Sequence, residues 1–261
     1  MNLRFAPNLS MLYNEVPFLD RFAKAAAAGF TAVEFLFPYE FGAAAIQSRL
    51  ADLGLRVVLF NINPGDAASN ERGALGNPAR REFFRSTMQQ ALEYAAQLHS
   101  PRIHVMIGNR VPEVSIEAQI DCALENLAWA APLAAALNVT LLIEPLNATD
   151  MPAYLIHSSA DGMRIVNGAN HPNVKLQYDV YHAQMTEGNL INTMSALFPH
   201  IGHIQISDAP GRHQPGTGEI NYPAIFAALD RLGYRAPIGL EYRPLGETDA
   251  SLAWLPRLNR G

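Results

Sequence analysis

The chain has 261 residues, of which 49% are hydrophobic and 16% charged, with a formal net charge of −5. That length suits one large α/β domain as well as two small ones, and the apolar content supplies a large core. So low a charged fraction excludes a disordered chain, and the acidic balance leaves no basic footprint for a nucleic-acid partner.

The first residues, Met1 to Asn8, contain no charged segment followed by an apolar stretch of the kind that targets secretion. No apolar run reaches the roughly 20 residues needed to cross a bilayer. The expectation is a soluble, cytoplasmic protein with no membrane partner. The single cysteine, Cys122, cannot form an intrachain disulfide and sits in an apolar stretch. It reads as a packed core residue in a reducing compartment rather than as a nucleophile.

In chain order, strands are expected at 3–7, 32–36, 56–62, 102–107, 140–144, 175–179, 202–206 and 238–241. Each is β-branched, aromatic or continuously apolar, as strands buried on both faces are. Helical periodicity fills the gaps at 16–28, 80–97, 116–137, 158–166, 189–197, 222–232 and 251–258, and the Ala-rich 43–45 is good helix sequence. Gly29, Gly54, Asn138 and Gly233 follow helices and precede strands, as C-terminal caps do. Eight strand–helix alternations without a linker or composition break predict a single α/β domain over 1–261, a (β/α)8 TIM barrel. An open dinucleotide-binding sheet would need a Gly-rich turn after its first strand, and Asn8-Leu9-Ser10-Met11 is not one.

Barrel chemistry collects where strands run into the following loops. The fifth strand ends at Glu144, the sixth at Asp179 and the eighth at Glu241, while the seventh carries Gln205. Four oxygen donors on successive strands converge at one end of the axis. Three clustered carboxylates repel unless a cation neutralises them. The hard, oxygen-rich set favours Mg2+ or Mn2+ over zinc. Taken singly each acid could be an ordinary paired strand-end residue; taken as four successive ends they read as a metal site.

The segments Ile143-Glu144-Pro145-Leu146-Asn147, Asp179-Val180-Tyr181-His182, Gly202-His203-Ile204-Gln205-Ile206, Gly211-Arg212-His213 through Tyr222, and Glu241-Tyr242-Arg243-Pro244 resemble the hydroxypyruvate isomerase family. That family belongs to the xylose-isomerase-like barrels, with tagatose-3-epimerase-like enzymes as cousins. The resemblance extends to Val33–Tyr39 and to Glu71-Arg72-Gly73. It implies that Glu144, Asp179, Gln205 and Glu241 are metal ligands and that Glu144 and Glu241 are the catalytic pair that shuttles a proton. It also implies that His182 and Arg212 bind substrate, with Asp150 at a position where the epimerases keep a substrate-binding acid. Arg72 is the remaining substrate-binding candidate. Two departures fall at the rim: Gln214 stands where relatives often carry Glu, and Arg243 where Lys is common.

The expected reaction interconverts hydroxypyruvate and 2-hydroxy-3-oxopropanoate through an enediolate. A 2-oxo-tetronate isomerase, or a ketose 3-epimerase or dehydratase, is the alternative on the same scaffold. A small hydroxy-carbonyl or sugar-acid substrate is the expected partner, and a homo-oligomer is compatible with the chain. A zinc endonuclease would want a basic groove and several histidine ligands, and a non-catalytic sugar-binding barrel would not need carboxylates flanking a metal. Of the eight histidines, His104 and His203 lie within strands and read as core or supporting residues, while His213 is a rim candidate. The Gly-rich loop 210–218 reads as a substrate cover, and phosphate binding there is a lesser alternative.

Overall fold

A computed structural model describes residues 3–66 and 68–260. Eight strands, β1 (Arg4–Pro7), β2 (Ala32–Phe35), β3 (Arg56–Asn61), β4 (Arg102–His104), β5 (Thr140–Ile143), β6 (Val174–Asp179), β7 (Ile201–Ile206) and β8 (Pro237–Leu240), lie in one sheet ordered β1-β8-β7-β6-β5-β4-β3-β2. Every ladder is parallel. The seam between β1 and β2 is closed by a parallel bridge from Asn8 to Glu34, where the Leu9 amide donates to the Glu34 carbonyl at 2.7 Å. The sheet is therefore a barrel.

The helices α1 (Phe18–Ala27), α2 (Ala43–Leu53), α3 (Arg81–Leu98), α4 (Ile116–Ala136), α5 (Ser159–Ala169), α6 (Val180–Thr186), α7 (Leu190–Leu197), α8 (Tyr222–Leu232) and α9 (Thr248–Ser251) supply the crossovers and the chain's end. Their boundaries have local causes. Ser115 caps α4 by accepting from the Ala118 amide, and Ser158 and Asp161 form a reciprocal capping box on α5. Gly54 and Gly233 end α2 and α8 in the left-handed conformation that glycine adopts without strain.

Two sequence expectations change. The helix expected at 251–258 is instead the single turn of α9, followed by a 3-10 turn at Arg257–Asn259. Pro256 has no amide to donate and interrupts the run. α6 begins directly after β6, with Asp179 as its cap, because the Asp179 carboxylate accepts from the Tyr181 amide at 2.7 Å.

The main core lies between the sheet and the helices, where Phe5, Phe22, Phe35, Phe60 and Phe84 are fully buried. A separate buried cluster of Ala6, Ala32, Val58, Leu59 and Leu142 fills the barrel interior. Two residues further along the strands, the inward side chains turn polar: Asn8 after Ala6, Glu34 after Ala32 and Glu144 after Leu142. The strand period of two thus stacks an apolar tier beneath a polar one.

Candidate active site

The polar tier opens into a pocket of about 290 Å3 at the C-terminal end of the barrel, with Glu144, Glu241, His104, His182, Arg212 and Arg72 among its walls. A wider groove of about 540 Å3 adjoins it, sharing Met11 and Arg243. Its one acid, Glu15, is occupied by the amide and hydroxyl of Thr248 at 2.7 and 3.2 Å. The acid–base groups are therefore concentrated in the smaller pocket.

Three buried carboxylates face one partly buried guanidinium. Arg212 Nη2 lies 2.7 Å from Glu241 Oε2 and 3.7 Å from Asp179 Oδ2. Burial alone would lower the Arg212 pKa, but Glu241, Asp179 and Glu144 together raise it. One cation does not satisfy three anions. Burial and the nearby Glu241 and Asp179 hold Glu144 well above the ordinary carboxyl range. Burial also raises Asp179, against the pull of Arg212, and pushes Glu241 up to about 8.

Glu144 Oε1 and Asp179 Oδ2 are buried with no hydrogen-bond partner among the described residues. Ligand atoms of Glu144, Asp179 and His182 lie within 4.8 Å of one another. Orphaned carboxylate oxygens with raised pKa values are what a cation site looks like before its cation is counted.

His182 differs from the other members of that cluster. Its Nδ1 faces the Asn147 backbone amide at 3.0 Å and the Asn147 side-chain nitrogen at 2.8 Å. A backbone amide can only donate, so Nδ1 accepts. Burial, then Arg212 and His104, hold the ring well below its usual pKa and keep it neutral. The one ring proton therefore sits on Nε2, which is a donor toward the pocket and not a lone pair for a metal.

The remaining sequence-derived residues fall around this centre. Gln205 is buried beside its strand partner Asp179, with Nε2 donating to Glu34 at 2.7 Å and Oε1 accepting from Gln177 at 2.6 Å. Asp150 lies behind His182 rather than on the pocket wall: its Oδ2 accepts from Asn147 Nδ2 at 3.0 Å and from the Tyr181 hydroxyl at 2.7 Å. Tyr181 in turn lies beneath the Arg212 guanidinium, 5.2 Å from ring centroid to Cζ. Arg72 is brought to the pocket by a close crossing of two loops. Gly73, with φ +104°, bridges to Ile107, and a Cβ there would meet the Met106 carbonyl at 2.2 Å. The preceding Glu71 pairs with Arg80.

Loop 210–218 is organised by Asp208, whose Oδ2 accepts from the Gly216 and Thr217 amides at 2.8 and 3.1 Å. Those amides are spent on a carboxylate, which leaves them unavailable to a phosphate. The loop instead carries Arg212, whose φ of +55° is held by its amide donating to the Asp208 carbonyl and its carbonyl accepting from the Arg243 amide. Gln214 ties this loop to the next by accepting from the Leu245 amide at 3.0 Å, and Arg243 lines the pocket.

Four contributors to the site escaped the sequence reading as site residues. Glu34 and Gln177 are inward strand residues and Asn8 follows β1, Glu34 holding Asn8 and Gln205 while Gln177 holds Gln205, and Asn147 sets the His182 tautomer. The signal for Glu34 was a charged residue inside an apolar strand, Ala32-Val33-Glu34-Phe35.

The family model for the xylose isomerase-like TIM barrel matches residues 22–258. A 2-oxo-tetronate isomerase of Cupriavidus necator is 51% identical over 98% of this chain and 99% of its own length. The hydroxypyruvate isomerase of Escherichia coli is 40% identical over 97% and 98% respectively. Among solved structures, one described as an AP endonuclease, family 2, from Brucella melitensis superposes with a TM-score of 0.94 at 43% identity, covering 97% of each chain.

Proposed function

The chain belongs to the xylose isomerase-like TIM barrel family and is an isomerase, and we propose that it moves a carbonyl between adjacent carbons of a short hydroxy-oxo acid. The reading is hydroxypyruvate to 2-hydroxy-3-oxopropanoate. A second reading, 2-oxo-tetronate, differs by one hydroxymethyl group on the carbon that loses its proton, and the 51% identity to a 2-oxo-tetronate isomerase favours it.

The carrying observation is that Glu144 and Glu241, one residue past β5 and β8, wall one pocket with a donor histidine and a partly buried arginine. One carboxylate takes the proton from the hydroxyl-bearing carbon, and the C–H electron pair becomes the double bond of an enediol. A proton is then returned to the former carbonyl carbon, and the hydroxyl proton passes between the two oxygens. A positioned base of this kind contributes about 10^2–10^4 in rate. The His182 Nε2–H donates to a substrate oxygen that gains charge during transfer. Among the described residues Arg72 makes one hydrogen bond, from Nη1 to the Glu71 carbonyl at 3.1 Å. The rest of its fork is open to the substrate carboxylate.

Glu144, Asp179 and Glu241, with the Gln205 amide oxygen, would hold a Mg2+ or Mn2+ ion that polarises the substrate's two oxygens. The orphaned oxygens of Glu144 and Asp179 support that assignment. The net charge of −5 and the carboxylate-walled pocket oppose a DNA backbone as substrate.

The test is EDTA-treated protein incubated with hydroxypyruvate or 2-oxo-tetronate in D2O, with and without Mg2+ or Mn2+, followed by NMR. Metal-dependent conversion with deuterium at the exchanging carbon supports the proposal, and the faster acid names the substrate. Exchange without conversion moves the substrate to a longer sugar acid. No exchange with either acid refutes the reading.

A further inference from the structure

The proposed chemistry gives no role to the fully buried carboxylate of Glu34. Glu34 points from β2 into the barrel, and three donors converge on it. His203 Nε2 approaches Oε2 at 2.8 Å, while Gln205 Nε2 and Asn8 Nδ2 approach Oε1 at 2.7 and 3.1 Å. Asn8 Nδ2 also lies 3.5 Å from Glu241 Oε1. The opposite wall makes room for this group: a Cβ on Gly239 would stand 2.4 Å from Glu34 Oε2.

The consequence is directional. An amide offers a donor at one end and an acceptor at the other, and the two ends have nearly the same shape. A carboxylate accepts, so Gln205 must turn its nitrogen toward Glu34 and its oxygen away from it. Gln177 Nε2 donates to that oxygen at 2.6 Å, which fixes the sense of the second amide as well. Gln177 lies two residues before Asp179 on β6 and so shares its inward face.

We propose that Glu34 is a positioning residue for the isomerase, fixing through Gln205 and Gln177 which end of each amide faces the carboxylates at the mouth of the barrel. The inference rests on the proposed function only in taking Gln205 and Asp179 as members of the site. Without Glu34, Gln205 presents NH2 in place of that oxygen in part of the molecules, and a divalent cation meets a donor where it needs an oxygen.

Glu34→Gln keeps the shape and gives Gln205 a choice of partner end. In metal-free, substrate-free protein, 1H–15N spectra should show a protected Gln205 side-chain NH2 pair in the wild type, with loss of protection or a second signal in E34Q. Mn2+ titration followed by EPR should show a Kd weakened by about 10–100-fold, the usual effect of removing a partner that orients a ligand. The double variant E34Q/Q205E supplies the rescue. A carboxylate at 205 has oxygens at both ends, and the amide introduced at position 34 can donate to it, so Mn2+ affinity should return to the wild-type range.

Wild-type Mn2+ affinity in E34Q with an unchanged amide signal would overturn the proposal, as would a folded double variant that stays as weak as the single. If E34Q itself does not fold, the double variant alone decides, since restored folding without restored affinity refutes a positioning role. If the wild type binds no Mn2+, the metal assignment of the proposed function fails, and the amide spectra still decide the role of Glu34.

Discussion

In EDTA-treated protein, stability should fall as pH rises from 6.5 to 8. Burial pushes Glu241 up to about 8 from an ordinary value of 4.5, and Glu144 is raised in the same direction. A group whose pKa is higher in the folded state makes its full contribution below the unfolded value and loses it as pH rises through the folded one. The buried histidines have the opposite sign. Burial holds His104, His182 and His203 below 6.5, so their contribution is completed above 6.5 and is lost on acidification. Between 6.5 and 8 the three buried histidines are neutral in the folded state and lose their last half proton in the unfolded one, which offsets about 1 kcal/mol of the fall that the carboxylates cause. Each proton that the folded state holds in excess costs about 1.4 kcal/mol per pH unit, so Glu241 alone removes on the order of 2 kcal/mol across that window. Urea unfolding at three pH values in EDTA reads this directly. E241Q should flatten the slope by about that amount. Saturating Mn2+ should reverse it, because binding needs ionised ligands. A flat or rising profile in the metal-free protein would refute the electrostatic account of the site.

Three substitutions probe other parts of the argument. E144Q should fold and still bind Mn2+ while kcat drops by about 10^2–10^4; near-normal turnover would remove Glu144 from proton transfer. R72M should raise KM by roughly 10-fold or more with kcat little changed, as loss of a charge-assisted hydrogen bond to the ground state does; a fall in kcat at constant KM would place Arg72 elsewhere in the cycle. Gly239→Ala forces a methyl group against the Glu34 carboxylate. It should cost about 1–3 kcal/mol and lower Tm by roughly 3–10 °C, measured calorimetrically; an unchanged Tm would mean that the barrel interior is not packed as described.

The barrel was legible because its strands are apolar on both faces and its helices carry caps, signals that survive without tertiary information. The strand-end acids were legible for a related reason: in Leu141-Leu142-Ile143-Glu144 the hydrophobic run stops at a charge, and Glu144 and Glu241 lie one residue beyond their strands. What the sequence did not show is depth. Gln205 and Glu34 occupy inward positions on β7 and β2, and whether they meet depends on the stagger of strands far apart in the chain. Nothing local to either residue encodes a 2.7 Å contact across 171 positions. His182 could be paired with Asp179 by spacing, but its tautomer is set by Asn147, 35 residues away. The missed turn of α6 has a simpler cause, since Asp179 serves as cap and as site residue at once.

The tiers of the interior explain why the site needs compensation from outside the chain. Beside the carboxylates Glu34 is already occupied by Asn8, Gln205 and His203, and beneath this polar layer lies an apolar plug. Neither has a cation to lend. Arg102, the inward arginine of β4, spends its guanidinium on the carbonyls of Gly202 and Val58. Among the described residues Arg212 is the one guanidinium within 4 Å of these carboxylates, and with all three ionised two negative charges are left over around it. Two protons or one divalent cation can balance them. The raised pKa values of the carboxylates express the first solution and the orphaned oxygens the second. On the proposed function such a site would exchange protons for a dication, and a carboxylate raised to about 8, as Glu241 is, stands near the threshold that moving a hydrogen between two carbons would demand of a base.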